Sequence, residues 1–434
     1  MIYGGDGLAR LPGGDRGHGK AVFVPFVLAG EKIEAALTEE KPGFARARAT
    51  TIVEPSAHRI PPPCPHFGRC GGCNYQHASY EHQLEIKKEI LRENLRRIAK
   101  LELDCEIQAH PSPAWNYRNR SRMQVRTRPE FAMGYFKFAS HELLPVEECP
   151  ISSPLINRAL ATLWRAGRAG KVIEGVDEVE FFANEDDTRL LVEFLCAPET
   201  RRAAVRAWAE DLCAGMPEIA GVVAFRESQK GVQTPLVTVG ASELSYRTKA
   251  GIYRVSAGVF FQTNRFLIDE LIDLVTAGRS GELALDLYAG VGLFSTALAC
   301  NFRHIVSVES SQTAANDLQY NLPASGKAVH SATEQYLAGL RDMGRAGQDA
   351  VLPQLGRALD LAVVDPPRGG LGDRVASLLA RAGALHVTYV SCDPATLARD
   401  LVQLQAAGYR IEQVHMIDLF PQTYHLESIV QLAR

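Results

Sequence analysis

The chain has 434 residues, with 47 Lys and Arg against 50 Asp and Glu, a formal net charge of −3 and 46% hydrophobic residues. That balance excludes a polycation that holds nucleic acid by bulk charge, so any such affinity would have to come from local patches and shape. Nine cysteines are too sparse for a disulfide scaffold, and the absence of a secretory leader or an apolar run of membrane length predicts a soluble cytoplasmic protein of three or four domains, with no protein partner implied.

Residues 1–55 alternate short apolar runs (Ala21-Val22-Phe23-Val24-Pro25-Phe26, Lys32-Ile33-Glu34-Ala35, Ala45-Arg46-Ala47-Arg48-Ala49) with glycine turns such as Gly4-Gly5-Asp6-Gly7. Closely spaced strands punctuated in this way predict a small barrel. The segment resembles the TRAM module, an OB-like RNA-binding barrel. Lys41, Arg46 and Arg48 are its candidate phosphate contacts, against the plainer reading of a solvated face. The chain opens abruptly inside its first turn, which suggests a truncated start or a missing upstream piece.

Residues 56–108 form a cysteine segment followed by a helix. Cys64, Cys70 and Cys73 lie in a loop rich in Pro and Gly, and Cys149-Pro150 follows much later. Sulfurs clustered in such a loop suit metal ligation better than a core. Zinc and iron-sulfur centres both accept four thiolates. Many zinc sites pair two Cys-x2-Cys knuckles, whereas here one knuckle is preceded by Cys-x5 and the fourth cysteine is isolated; the proline after Cys149 resembles the end of a ferredoxin cysteine run. Spacing alone distinguishes the two poorly and leaves both a [4Fe-4S] cluster and zinc open. The Cys-x3-Cys-x2-Cys of radical enzymes is absent. Cys105, Cys196, Cys213 and Cys300 read as packing residues, and a helix from about Tyr80 to Ala99, rich in Lys and Glu, reads as a surface helix.

Residues 109–250 begin with Asn116-Tyr117-Arg118-Asn119-Arg120-Ser121-Arg122. Period-two arginines put Arg118, Arg120 and Arg122 on one strand face beside Trp115 and Tyr117, a strip able to track phosphates while rings stack on unpaired bases.

Residues 251–434 carry a doubly wound α/β pattern. Leu283-Ala284-Leu285-Asp286-Leu287-Tyr288-Ala289-Gly290-Val291-Gly292 is an apolar strand, a glycine turn and the start of a helix. The turn lacks the third glycine of a dinucleotide fingerprint, and Glu309 ends the next strand about 20 residues on, where an acid holds ribose hydroxyls. A nucleoside cofactor without phosphates fits, and S-adenosylmethionine is the candidate; an ordinary strand-helix turn is the plain alternative. Further strands stop at Asp365-Pro366-Pro367-Arg368 and at Ser391-Cys392-Asp393-Pro394. Ligands in open α/β sheets bind beyond the carboxyl ends of strands, so Asp286, Glu309, Asp365 and Cys392 should meet in one crevice.

A free cysteine usually packs as a small hydrophobe. Cys392, however, precedes a helix, and a thiol near a helix N-terminus has its thiolate favoured. A thiolate that adds to C6 of uracil makes C5 a nucleophile able to take a methyl group, after which a base must remove the C5 proton. Glu427, at the threshold of a last apolar strand, and His425 are rival bases, and spacing does not separate them.

Phe260-Phe261-Gln262-Thr263-Asn264, Asp286 to Ser295, Asp365-Pro366-Pro367-Arg368, Ser391-Cys392-Asp393-Pro394 and His425-Leu426-Glu427-Ser428, in this order, resemble the RNA (uracil-5-)-methyltransferase family over nearly the whole chain. The resemblance implies a Rossmann-like S-adenosylmethionine-dependent methyltransferase domain, an N-terminal OB-like (TRAM) β-barrel and a central, RNA-facing α+β subdomain. It implies Cys392 as the nucleophile on C6 and Glu427 as the general base. It also implies that Gln262, Tyr288, Glu309 and Asp365 contact the cofactor around Gly290, that Phe260 faces the extruded base, and that Cys64, Cys70, Cys73 and Cys149 bind a [4Fe-4S] cluster as in the iron-sulfur members. Leu293 stands where the family often has Asn, and Ala332 where a polar cofactor contact is expected.

The substrate expected from barrel plus cluster is a uridine of 23S ribosomal RNA, flipped out of its stack because the reacting carbon is inaccessible within it. A transfer-RNA uracil methyltransferase is the alternative. A non-catalytic RNA-binding protein with a relict cofactor fold is another, and it predicts loss of Cys392 or Glu427; both are present. Cytosine methylation also uses a cysteine on C6, usually in a Pro-Cys context that is absent here.

Overall fold

Runs of Val, Ile, Leu and Ala bounded by glycine turns fold into four sheets in the computed structural model, which describes residues 1–11, 19–227, 233–342 and 359–434. The first sheet contains β1 (Asp6–Arg10), β2 (Ala21–Pro25), β3 (Lys32–Glu40) and β4 (Phe44–Glu54) in the order β1-β2-β4-β3. Alternation buries Val22, Val24, Ala45 and Ala47 on one face around Val27 and leaves Lys41, Arg46 and Arg48 exposed. Arg46 lies over the rings of Phe23 and Phe44.

After the cysteine loop come α1 (Tyr80–Ile98) and β5 (Ile107–His110). Ser79 caps α1 by accepting from the His82 N–H. The helix is not the surface element its charge suggested. Glu89–Arg92 and Glu93–Arg96 pairs cover its outer face, but Gln83, Ile86, Lys87, Ile90, Leu91 and Leu95 recur at helical spacing and are buried.

The central unit is a seven-stranded sheet ordered β12-β11-β10-β9-β6-β7-β8. Its elements are β6 (Arg120–Arg126), β7 (Ala132–Phe136), β8 (Leu143–Pro145), α2 (Pro154–Arg168), β9 (Val176–Ala183), β10 (Leu190–Cys196), α3 (Arg202–Gly215), β11 (Ile219–Glu227) and β12 (Gln233–Gly240). The chain leaves it through a two-stranded hairpin, β13 (Glu243–Thr248) and β14 (Gly251–Ser256).

The C-terminal sheet has eight strands ordered β17-β16-β15-β18-β19-β21-β20-β5. Its elements are α4 (Ile268–Thr276), β15 (Gly281–Leu287), α5 (Leu293–Leu298), β16 (Phe302–Glu309), α6 (Gln312–Asn321), β17 (Gly326–His330), α7 (Thr333–Asp342), β18 (Leu361–Val364), α8 (Gly372–Ala382), β19 (His386–Ser391), α9 (Pro394–Ala406), β20 (Arg410–Ile417) and β21 (Glu427–Ala433). From β15 the order runs outward through β16 and β17, then restarts on the other side with β18 and β19, so the strand order reverses between β15 and β18. Ligands bind at such a switch point. β21 enters antiparallel between β19 and β20, and β5 pairs parallel with β20. β5, at residues the sequence placed beside the 108/109 division, is therefore an edge strand of this sheet, and α1 packs on α9.

Candidate active site

The switch point is built on Asp286, wholly buried at the end of β15. Ser295 donates to its Oδ2 at 2.5 Å and is itself bonded by Ser307 at 2.7 Å. Oδ1 is buried without a partner, which marks a place for a ligand's donor. Burial pushes the carboxyl up to about 7, against the pull of Ser295 and helped by the charge of Glu309. Tyr288 (φ 61°), Gly290 (φ 56°) and Gly292 (φ 93°) turn the chain away from β15. A Cβ on Gly290 would meet nothing, whereas one on Gly292 would lie 2.8 Å from Leu318, so Gly290 is needed for its backbone and Gly292 also for space. Glu309 fastens the turn by accepting from the Gly290 N–H at 2.9 Å and the Ser311 N–H at 2.7 Å. Asp365 follows β18 directly beside Asp286, and burial and that neighbour push its carboxyl up to about 7. Gln262 is buried, and Phe260, two residues earlier, is 68% exposed. The four strand ends thus meet as the topology requires, and this polar cradle has the donor set for a nucleoside cofactor.

Cys392 follows β19, and Glu427 begins the neighbouring antiparallel strand. Ser391 pairs with Ser428, so the next pair outward in that register sets Cys392 opposite Glu427. The thiolate is not favoured here, contrary to the expectation from a helix N-terminus. Burial, then Glu427 and Asp365, push the thiol up to about 12. The helix end is already occupied: the Asp393 carboxylate accepts from the Ala395 and Thr396 N–H groups at 2.9 and 3.0 Å, and Tyr3 donates to the Cys392 carbonyl at 2.8 Å. Burial and Asp365 also hold the Glu427 carboxyl well above its usual range, with Arg368 pulling it down. His425 goes the other way: burial and the cations Arg368, Lys87 and Arg118 push it down to about 3, while its ring lies 4.2 Å from that of Tyr424.

The cysteine loop and the end of β8 bring Cys64, Cys70, Cys73 and Cys149 into one pocket with Tyr117, Trp115, Tyr135 and Phe67. All four are free thiols. Burial first and the neighbouring thiols second push Cys73 up to about 12 and Cys70 up to about 11. Asn157 fixes Cys149 from both sides, its Oδ1 accepting from the Cys149 N–H at 2.9 Å and its Nδ2 donating to the Cys149 carbonyl at 3.0 Å. Four convergent thiols fit a metal centre, which ligating thiols meet deprotonated.

The arginine strip needs correction. Arg120 is buried, bonded to Glu180, to the Val259 carbonyl and, at 3.4 Å, to Glu193. Arg118 sits beside Cys149, Cys73 and Tyr135, and Tyr117 is fully buried. Only Arg122 of the three is exposed, and it is bonded to Glu180 at 2.6 Å. The strand faces acids on β9 and β10 that no local pattern announces. Cys300, expected to pack, is exposed.

Two groups near Cys392 and Glu427 went unassigned in the sequence. Arg368 belongs to a motif already singled out, yet its place beside Glu427, Cys392 and His425 depends on the fold. Lys87, one of many lysines on α1, is buried and donates to Asp418 at 2.6 Å; its spacing from Gln83, Ile90 and Leu91 is the signal that was available. No described helix is long and apolar enough to cross a membrane.

A profile described as tRNA (Uracil-5-)-methyltransferase matches residues 79–434. An uncharacterized RNA methyltransferase of Aquifex aeolicus is 32% identical, aligned over 100% of this chain and 96% of its own. The 23S rRNA (uracil(1939)-C(5))-methyltransferase RlmD of Aromatoleum aromaticum is 31% identical over 96% of this chain and 95% of its own. The solved structure of Pyrococcus abyssi tRNA (uracil-54, C5)-methyltransferase in complex with S-adenosyl-L-homocysteine superposes with a TM-score of 0.73 at 22% identity, covering 99% of this chain and 100% of that one, and so shares its fold.

Proposed function

The chain belongs to the RNA (uracil-5-)-methyltransferase family, and from that premise we propose that it methylates C5 of a uridine in 23S ribosomal RNA. The observation that carries the mechanism is the register that sets Cys392 opposite Glu427 beside the Asp286 and Asp365 cradle. Cys392 Sγ adds to uracil C6 and makes C5 nucleophilic. Gln262, Tyr288, Glu309 and Asp365 would hold S-adenosylmethionine, which would supply the methyl group to C5 as its S–CH3 bond breaks and the neutral thioether departs. Glu427 then takes the C5 proton, and Cys392 leaves as C5=C6 reforms.

Glu427 is favoured over His425 because a carboxyl held well above its ordinary value is the stronger base once ionised, whereas an imidazole at about 3 is a weak one. The thiol at about 12 belongs to the substrate-free protein; Arg368 is the cation beside it that favours the thiolate. Phe260, exposed next to Gln262, is suited to stack on an extruded base.

Ribosomal RNA is preferred because relatives described as 23S rRNA enzymes are 30–31% identical over 96% of the chain, whereas the transfer-RNA enzyme of like fold is 22% identical; the alignment reaches residues ahead of the profile's start at residue 79. Those residues hold the sheet read as a TRAM module and the cysteine trio. The cysteine pocket is read as a [4Fe-4S] site on Cys64, Cys70, Cys73 and Cys149, on the resemblance of the cysteine segment to the iron-sulfur members of the family, with zinc the alternative. Iron and acid-labile sulfide in protein purified without oxygen, both lost in Cys73→Ser, test that reading; one zinc per chain would overturn it.

The deciding experiment incubates the protein with tritiated S-adenosylmethionine and unmodified 23S ribosomal RNA or transfer-RNA transcripts, beside Cys392→Ala. The expected result is label in 5-methyluridine of ribosomal RNA, absent in the variant. Label in transfer RNA alone would move the substrate, and transfer without Cys392 would overturn the covalent route.

A further inference from the structure

Residues 418–425 lead directly into Glu427 and are held from two sides. On the α1 side, Lys87 donates from its buried ammonium to Asp418 Oδ1 at 2.6 Å and to the Phe420 carbonyl at 2.9 Å. Gln83, one turn earlier on the same face, meets Gln422 with both ends of its amide. Its Oε1 accepts from the Gln422 N–H at 3.0 Å, and its Nε2 donates to Gln422 Oε1 at 3.0 Å.

The other side is the cysteine pocket. The N–H groups of Asn74 and Tyr75, the two residues after Cys73, both donate to the Gln422 carbonyl, at 2.9 and 3.0 Å. Tyr117, packed among Cys73 and Cys149, donates its hydroxyl to the Pro421 carbonyl at 3.0 Å. None of these bonds involves β19, the strand that leads into Cys392. Gln422 itself has φ 70°, a left-handed backbone that a residue other than glycine keeps only where its surroundings hold it.

We propose that this clamp positions the Glu427 carboxylate, with Tyr117 and Gln83 as positioning residues for removal of the C5 proton; the inference rests on the reading of Glu427 as the base. In that step the proton passes from C5 to Glu427, the C5–H electron pair forms C5=C6, the C6–Sγ bond breaks and Cys392 departs as a thiolate. Addition of Cys392 and methyl transfer come earlier and use groups outside the clamp. Loosening it therefore slows departure from the methylated adduct, not its formation.

The test uses full-length Tyr117→Phe and Gln83→Met with S-adenosylmethionine and the RNA substrate, beside Glu427→Gln. Covalent protein–RNA adduct on denaturing gels and released methylated RNA are followed in time, with iron content and thermal midpoint as controls. Tyr117→Phe keeps the Tyr117 carbonyl that accepts from the Arg265 N–H at 3.0 Å, so it carries the test if Gln83→Met does not fold. The expected result is accumulated adduct and release slowed roughly tenfold, with methyl transfer within about twofold of wild type. If Glu427→Gln traps adduct while the clamp variants slow both phases alike or trap none, the clamp is refuted. If Glu427→Gln itself traps none, the base assignment falls and the clamp with it.

Discussion

Replacing Asp286 by Asn should stabilise the ligand-free protein, and by an amount that grows with pH. The carboxyl is pushed from its ordinary 3.8 to about 7. Folded, it keeps its proton to about pH 7; unfolded, it gives it up above about pH 4. Between these limits the folded chain binds more protons, so stability falls as pH rises. At about 1.4 kcal/mol per unit, the deficit is about 1–2 kcal/mol at pH 5 and about 4 kcal/mol at pH 8. Asn does not ionise, so the stability of Asp286→Asn relative to wild type should be about 2–3 kcal/mol more favourable at pH 8 than at pH 5. Any change in packing or in the Ser295 bond is common to both pH values and cancels. Asp365, raised partly by Asp286, falls when that charge goes, which adds in the same direction. Urea denaturation followed by circular dichroism at the two pH values measures the difference, and an equal effect of the substitution at both would refute the reasoning.

Three other outcomes are expected. With its thiol at about 12 against an ordinary 9.0, Cys392 in the free protein should react with iodoacetamide at pH 8 roughly a thousandfold more slowly than an unperturbed thiol, by peptide mass spectrometry; a normal rate would contradict the burial argument. Lys87→Met strands the buried Asp418 carboxylate and should cost about 3–5 kcal/mol in urea denaturation, part of it recovered by adding Asp418→Asn. Phe260→Ala removes an exposed ring, so it should leave the thermal midpoint unchanged while lowering kcat/KM for RNA by about 10- to 100-fold, the range of one base–aromatic stack.

The switch point was legible because its residues sit at strand ends, and strand ends are marked by where apolar runs stop. Asp286, Glu309, Asp365 and Cys392 needed only that rule to be placed together. What escaped depends on partners distant in sequence. Period two put Arg118, Arg120 and Arg122 on one face, but Glu180 and Glu193 on other strands decide that Arg120 is buried. Lys87 was hidden among the lysines and glutamates of α1 until Asp418 gave it a partner. The helix argument for Cys392 failed because burial, then Glu427 and Asp365, raise the thiol, while Asp393 already caps the helix. β5 is too short to announce a sheet, and its partner β20 lies in another part of the chain.

The position of β21 bears on how the protein is made. Because Glu427–Ala433 fills the gap between β19 and β20, a ribosome delivers both flanking strands before the one that joins them. A chain halted between Ile417 and Glu427 leaves the facing edges of β19 and β20 unpaired, each open to pairing with other nascent chains, and holds Cys392 with no carboxylate opposite it. Translation therefore completes the sheet and sets Glu427 opposite Cys392 in the same few residues, so an unfinished product carries the thiol without its facing carboxylate.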